Sequence, residues 1–98
     1  MIEFEWDPEK ARKNRQKHHI SFSEATTVFQ NPLSITISDP DHSDEEDRHI
    51  IIGMSATGRL LMVSHTERDH RLRILSARKL TRTERKAYED EIERRKGG

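Results

Sequence analysis

The sequence predicts a single α+β domain: an N-terminal strand, two helices, an antiparallel β-meander and a C-terminal helix. Three observations point there. Apolar residues alternate with polar ones at the very start of the chain and again in three or four segments after Pro32. Capping residues mark helix starts at Asp7, Ser21 and Thr81. The later strand segments follow one another without crossover helices, so neighbours must pair antiparallel.

Taken in order, Ile2, Phe4 and Trp6 alternate with Glu3 and Glu5, the pattern of a half-buried strand. Asp7-Pro8 then starts a helix, because Asp7 can accept from free backbone N–H groups and Pro8 has the φ of a first turn. This helix, Pro8 to about His18, has almost no apolar stripe beyond Ala11, which leaves one side for water or a partner. Ser21 with Glu24 forms a capping box, and Ile20 staples onto Ala25. The second helix buries Ala25, Val28 and Phe29 and stops before Asn31-Pro32. Leu33, Ile35 and Ile37 alternate as the next strand, and the acidic loop Asp39 to Asp47 leads into a strand over 48–55. Ala56-Thr57-Gly58 is a hairpin turn, with Gly58 free to take positive φ. Strands over 59–66 and 71–77 flank a turn at Glu67-Arg68-Asp69-His70. Thr81 with Glu84 opens the last helix, which runs to about Arg95 and leaves a tail from about residue 96.

Composition narrows the function. The 98 residues hold 18 basic and 18 acidic side chains, and only 31% are apolar. A domain this small buries about 60–70% of its unfolded surface, so its core is spare. The absence of cysteine excludes a disulfide scaffold and a thiol nucleophile. No apolar run is long enough for a membrane span and no secretory leader is seen, so the expected location is cytoplasmic. Charge is divided along the chain: residues 31–58 carry six acids and one base, residues 59–98 twelve bases and seven acids. The basic part suits phosphates or an acidic partner. A divalent metal is not expected. The loop of Asp39, Asp41, His42, Asp44, Glu45, Glu46 and Asp47 lacks the spacing of a calcium loop, and no His-x-x-x-His pair occurs. No cofactor is expected either.

Several segments together resemble the BrnT family, the toxin half of bacterial type II toxin–antitoxin pairs. They are Phe4-Glu5-Trp6-Asp7, Lys17-His18 before Ile20-Ser21-Phe22, Arg48 with Ile52-Gly53, and His65-Thr66-Glu67. Arg73-Ile74-Leu75-Ser76-Ala77-Arg78, Thr81, Glu84-Arg85 and Tyr88-Glu89 complete the set, which spans residues 4 to 89. One place departs: the family usually shows Gly after Lys-His, and His19 stands there. A left-handed helix end at a non-Gly residue costs roughly 1 kcal/mol.

The resemblance implies a RelE-like fold and a metal-independent endoribonuclease that blocks translation and growth. It also implies a BrnA-like ribbon–helix–helix antitoxin, a hetero-oligomer with it, and operator DNA bound only through the antitoxin. The alternative is a non-catalytic binding module acting with its antitoxin as a DNA-binding corepressor. Cutting RNA without a metal takes attack by the 2′-OH, a base near it, cations on the phosphate and an acid for the leaving oxygen. Candidate catalytic residues are His18, His65, Glu67, Arg73 and Arg78, with Lys17, Arg71, Lys79 and Arg82 as RNA-binding cations. Arg71 and Arg73 share a strand face, and Leu72 and Ile74 turn to the core. At the end of its helix His18 meets a dipole that favours the protonated ring. Structural alternatives stand beside each: a half-buried His65 on the Leu61/Val63 face, a turn decorated by Glu67, and an Arg78 paired with the acidic loop.

Overall fold

The computed structural model describes residues 2–42, 44 and 47–97, so Glu45 and Glu46 of the acidic loop lie outside the described residues. It is an α+β fold on one five-stranded sheet, ordered β1-β5-β4-β3-β2. The strands are β1 (Glu3–Glu5), β2 (Ile35–Ser38), β3 (Arg48–Met54), β4 (Leu60–Arg68) and β5 (Arg71–Lys79). The helices are α1 (Pro8–His18), α2 (Phe22–Thr27) and α3 (Arg82–Gly97), with 3-10 turns at Val28–Gln30 and Pro40–His42. Strands β2 to β5 form the expected antiparallel meander. The N-terminal strand adds a parallel partner at the far edge, Glu3 opposite Arg71 and Glu5 opposite Arg73.

The local signals act as the residues dictate. Asp7 caps α1 by accepting from the Glu9 amide at 2.8 Å. The Thr81–Glu84 box is reciprocal, at 2.9 and 3.2 Å. The Ser21–Glu24 box forms only by half: Ser21 Oγ accepts from the Glu24 amide at 3.1 Å, while the Glu24 carboxylate turns away. It takes Ser55 Oγ at 2.7 Å and Arg59 Nε at 2.9 Å instead, tying α2 to the β3–β4 hairpin. That cluster holds the Glu24 carboxyl down at about 2, chiefly through the Arg59 hydrogen bond.

Three boundaries differ from the sequence reading. Glu67 and Arg68 belong to β4, because the turn is only Asp69-His70, with φ of 52° and 66°. Positive φ at both positions matches the twist of the flanking strands. β5 runs on to Lys79, and α3 to Gly97, where a tail was expected from residue 96.

Residues paired across the sheet share a face. One face carries Phe4, Ile51, Leu61, Val63, Ile74 and Ala77 and is covered by α1 and α2 through Ile20, Phe22, Ala25 and Val28. Each buried Ile, Leu, Val or Phe side chain contributes about 1.5–3 kcal/mol. Gly53 sits where a Cβ would come within 3.0 Å of Ser34 Cβ, so the chain returning to β2 needs that residue bare. The second face carries Arg71, Arg73, Ser76 and Arg78 on β5, and is crossed by α3. No α3 residue is fully buried, and the Tyr88 hydroxyl donates to the Leu33 carbonyl at 2.6 Å.

A bulge in β5 sets which side chains meet. Ser76 pairs with Ser64 and Ile74 with His65, leaving Leu75 over. Strict alternation would put Arg73 and Arg78, five apart, on opposite faces. The extra residue brings both to the second face.

Candidate functional site

α1 packs against β5 so that its last turn, with Lys17 and His18, approaches the strand next to Arg78. Its anchor is Asn14, buried at 8% exposure, whose Nδ2 donates to the carbonyls of Ala77 at 2.9 Å and Ile20 at 3.1 Å. Asn14 Oδ1 accepts from the Ala77 amide at 3.1 Å. One helical turn on, at the i+4 position, stands His18, close enough for the charge of Arg78 to act on its ring. Burial, then Lys17, Arg78 and His19, hold the His18 imidazole below its ordinary value of 6.5. Desolvation and these neighbouring charges act against the C-terminal dipole and disfavour the protonated ring.

Arg78 does not pair with the acidic loop; its fork lies on Glu84, Nη1 to Oε1 at 2.8 Å and Nη2 to Oε2 at 2.9 Å. Nη1 also reaches the Lys79 carbonyl at 3.2 Å, and Nη2 the Met62 sulfur at 3.2 Å. Among the described atoms Nε–H is left for a ligand. The Arg78 guanidinium pulls the Glu84 carboxyl down to about 2, so Glu84 positions Arg78 and is no proton donor near neutrality.

Arg71 and Arg73 share a face, as the alternation requires, but β1 places a carboxylate beside each. Arg71 Nε meets Glu3 at 3.1 Å and Arg73 Nη1 meets Glu5 at 2.6 Å. The bare cationic pair of the sequence is a row of ion pairs. Lys17, Lys79 and Arg82 have no ion-pair partner among the described residues. Lys79 points to the opposite face of β5 from Arg78, and Arg82 opens α3.

Two candidates are not brought to this corner. His65 is in the core at 6% exposure, edge-on to Phe29 at 4.9 Å and stacked on His49 at 6.0 Å. It faces α2 from the helix-covered side, and burial lowers its pKa. Glu67 is exposed near the β4–β5 turn, opposite Leu72 and on the other face from Arg71 and Arg73. Sequence reasoning missed Asn14, whose signal is its place on the Ala11/His18 stripe of α1, and it read Glu84 only as a cap. Arg48, quoted among the family segments, pairs with Asp39 at 3.3 Å.

A cavity of about 620 Å³ opens on the other side of α1, between Trp6, Arg15, His19 and Phe22. Among the described residues no three His, Asp or Glu side chains converge, and no helix is long and apolar enough to cross a membrane.

The fold and this corner define a class: a small α+β domain whose first long helix brings an imidazole and an ammonium towards an arginine of one strand. The family model described as the ribonuclease toxin BrnT of type II toxin–antitoxin systems matches residues 6–84, and the chain belongs to that family. The fold matches the crystal structure of the Brucella abortus ribonuclease toxin BrnT with a TM-score of 0.66 at 18% identity, covering 84% of this chain and 100% of that one. No curated protein sequence matches the chain.

Proposed function

We propose that this chain cleaves RNA without a metal, at the corner of His18, Lys17 and Arg78. His18 takes the 2′-OH proton, the 2′-oxygen bonds to phosphorus, and the bond to the 5′-oxygen breaks, that oxygen leaving with a proton from solvent. Arg78 and Lys17 stabilise the charge developing on the phosphate. The observation that carries the reading is the bonding of Asn14 to Ala77, which brings the last turn of α1, with Lys17 and His18, towards Arg78. Arg73 and Arg71 lie further along the same face as Arg78, Arg82 adds a cation at the start of α3, and Lys79 adds one on the other face of β5. His65 serves this site by filling the core, and Glu67 stands apart from it. The test is cleavage of RNA by the purified protein in EDTA, with product ends of 2′,3′-cyclic phosphate or 3′-phosphate. Activity lost in EDTA and restored by Mg²⁺ overturns the reading.

One observation favours the alternative of a non-catalytic corepressor: Arg71, Arg73 and Arg78 are each already held by a carboxylate. Arg78→Ala separates the two, since it removes cleavage from an enzyme and leaves antitoxin binding intact. The partner proposed is a BrnA-like ribbon–helix–helix antitoxin, in the cytoplasm, assembling as a hetero-oligomer that binds operator DNA through the antitoxin. It occludes Lys17, Arg73 and Arg78. Hydrogen exchange without added protection at Lys17 or across residues 71–78 in the complex counts against occlusion.

A further inference from the structure

We infer that the groove on the far side of α1 is a binding site for single-stranded RNA, holding a base against Trp6 and a phosphate on Arg15 and His19. The inference rests on the ribonuclease reading and extends it to a second site. The groove is a cavity of about 620 Å³, and no carboxylate among the described residues lines it, although the chain as a whole is neutral. Trp6 is half-buried and stands edge-on to Phe22 at 6.0 Å, so its indole is held rigidly at the wall. Arg12, Arg15 and His19 line the same wall because they recur at i, i+3 and i+7 on α1. Arg12 is tied to Glu9, whereas Arg15 has no ion-pair partner among the described residues.

Continuity with the cleavage corner comes from the helix end. His18 is the last residue of α1, and His19, the next residue, turns left-handed at φ 59° and lines the groove. A strand whose reacting phosphate lies at His18 thus continues around the end of α1 to Arg15 and Trp6. An aromatic wall with cations and without carboxylates is the chemistry of a single-stranded nucleic acid site, because each nucleotide brings a π-face and a charge. A peptide anchor is less suited, since Gln16, Ser21 and Ser23 interrupt the apolar lining.

The chain has one tryptophan, so the site carries its own probe. The experiment titrates the full chain with a short dye-labelled 2′-O-methyl oligoribonucleotide, which cannot be cleaved because the attacking hydroxyl is blocked. Dye anisotropy reports binding anywhere, and Trp6 fluorescence reports the groove. Saturable binding with matching quenching of Trp6 is expected. Arg15→Glu, at an exposed position, should weaken binding about 10-fold and lower the salt slope of log Kd by about 1 without changing Tm. Trp6→Leu should weaken it further, read only if the variant keeps its circular dichroism. Binding by anisotropy with Trp6 unquenched and Arg15→Glu unaffected overturns the groove while leaving the ribonuclease reading standing. Quenching by the antitoxin but not by RNA assigns the groove to the protein partner and overturns the inference. No binding together with no RNA cleavage overturns both readings.

Discussion

The carboxamide of Asn14 makes, on the open edge of β5, the two hydrogen bonds that a neighbouring strand would make to Ala77, 2.9 Å to its carbonyl and 3.1 Å from its amide. β1 pairs with β5 only at residues 71–73, so without Asn14 the Ala77 peptide groups would be buried and unpaired. The same side chain sets where α1 ends, and so where His18 stands relative to Arg78.

Asn14→Ala takes the side-chain partner from three backbone groups, the Ala77 amide and the Ala77 and Ile20 carbonyls, and should cost about 2–3 kcal/mol. In a domain of this size that is a fall in Tm of roughly 10 °C or more. Asn14→Leu, which restores the volume but not the polarity, should fall as far. A melting temperature within experimental error of the parent would show that the edge is satisfied some other way.

Alanine at Arg78 should lower RNA cleavage by about 10²–10³, the usual effect of losing one charge-stabilising contact. Growth arrest on expression in bacteria should be relieved, with circular dichroism unchanged. Lysine at the same position keeps the charge but loses the fork that lies on Glu84, and should recover only part of the rate. Full toxicity of the alanine variant, or an unfolded one, removes the support for this assignment.

Cleavage should require the neutral form of His18. Its pKa is lowered by burial first and by Lys17, Arg78 and His19 after that, so activity is flat at neutral pH and falls as pH drops through a midpoint below 6.5. Lys17→Ala removes one of those charges, and the midpoint should move up towards the ordinary histidine value. A pH–rate profile indifferent to Lys17 and His18 would remove the imidazole from the mechanism.

Most of the fold was legible because its signals are local. Asp7-Pro8 and the Thr81–Glu84 box each act within a few residues and form as read, while the strand read from Leu33 begins only at Ile35, Leu33 lying in the turn before it. What the sequence hid depends on neighbours distant in the chain. Glu3 and Glu5 neutralise Arg71 and Arg73 because β1 returns beside β5 in parallel, 68 residues away. The Leu75 bulge reverses the alternation, so no period-2 count could place Arg73 and Arg78 on one face. The alternation already set His65 on the Leu61/Val63 face as a half-buried residue, and the packing of Phe29 and His49 around it shows how deep it lies. The effects that lower the His18 pKa, burial first, include the tertiary approach of Arg78, whereas the helix dipole read from the sequence is local.

Acid should unfold the protein through Glu24. Its folded pKa of about 2 lies below the unfolded 4.5, so its stabilisation is complete above pH 4.5 and is lost as pH falls towards 2. Glu84, also held at about 2, adds to the same window. Glu24→Gln should lower stability at pH 7 by about 2 kcal/mol, as expected for charge-assisted hydrogen bonds, and flatten the acid limb. Urea titrations at neutral and acidic pH measure both. An acid limb unchanged in the variant would mean that other carboxylates govern the transition.

His19 ends α1 in the left-handed region, φ 59° and ψ 30°, with its amide donating to the Arg15 carbonyl at 2.9 Å. This is the place where the related family usually has glycine, and the geometry is that of a glycine helix cap worn by a histidine. A non-glycine residue there is strained by about 1–2 kcal/mol. Glycine relieves the strain but gives back about 0.4–1 kcal/mol through a freer unfolded chain. The balance makes His19→Gly stabilising by about 0.5–1 kcal/mol, a rise in Tm of roughly 4 °C. His19→Ala removes the same imidazole and keeps the strained backbone, so it should not rise, and the difference between the two variants isolates the backbone term. A lower Tm for the glycine variant would mean that the imidazole contributes more than the left-handed turn costs.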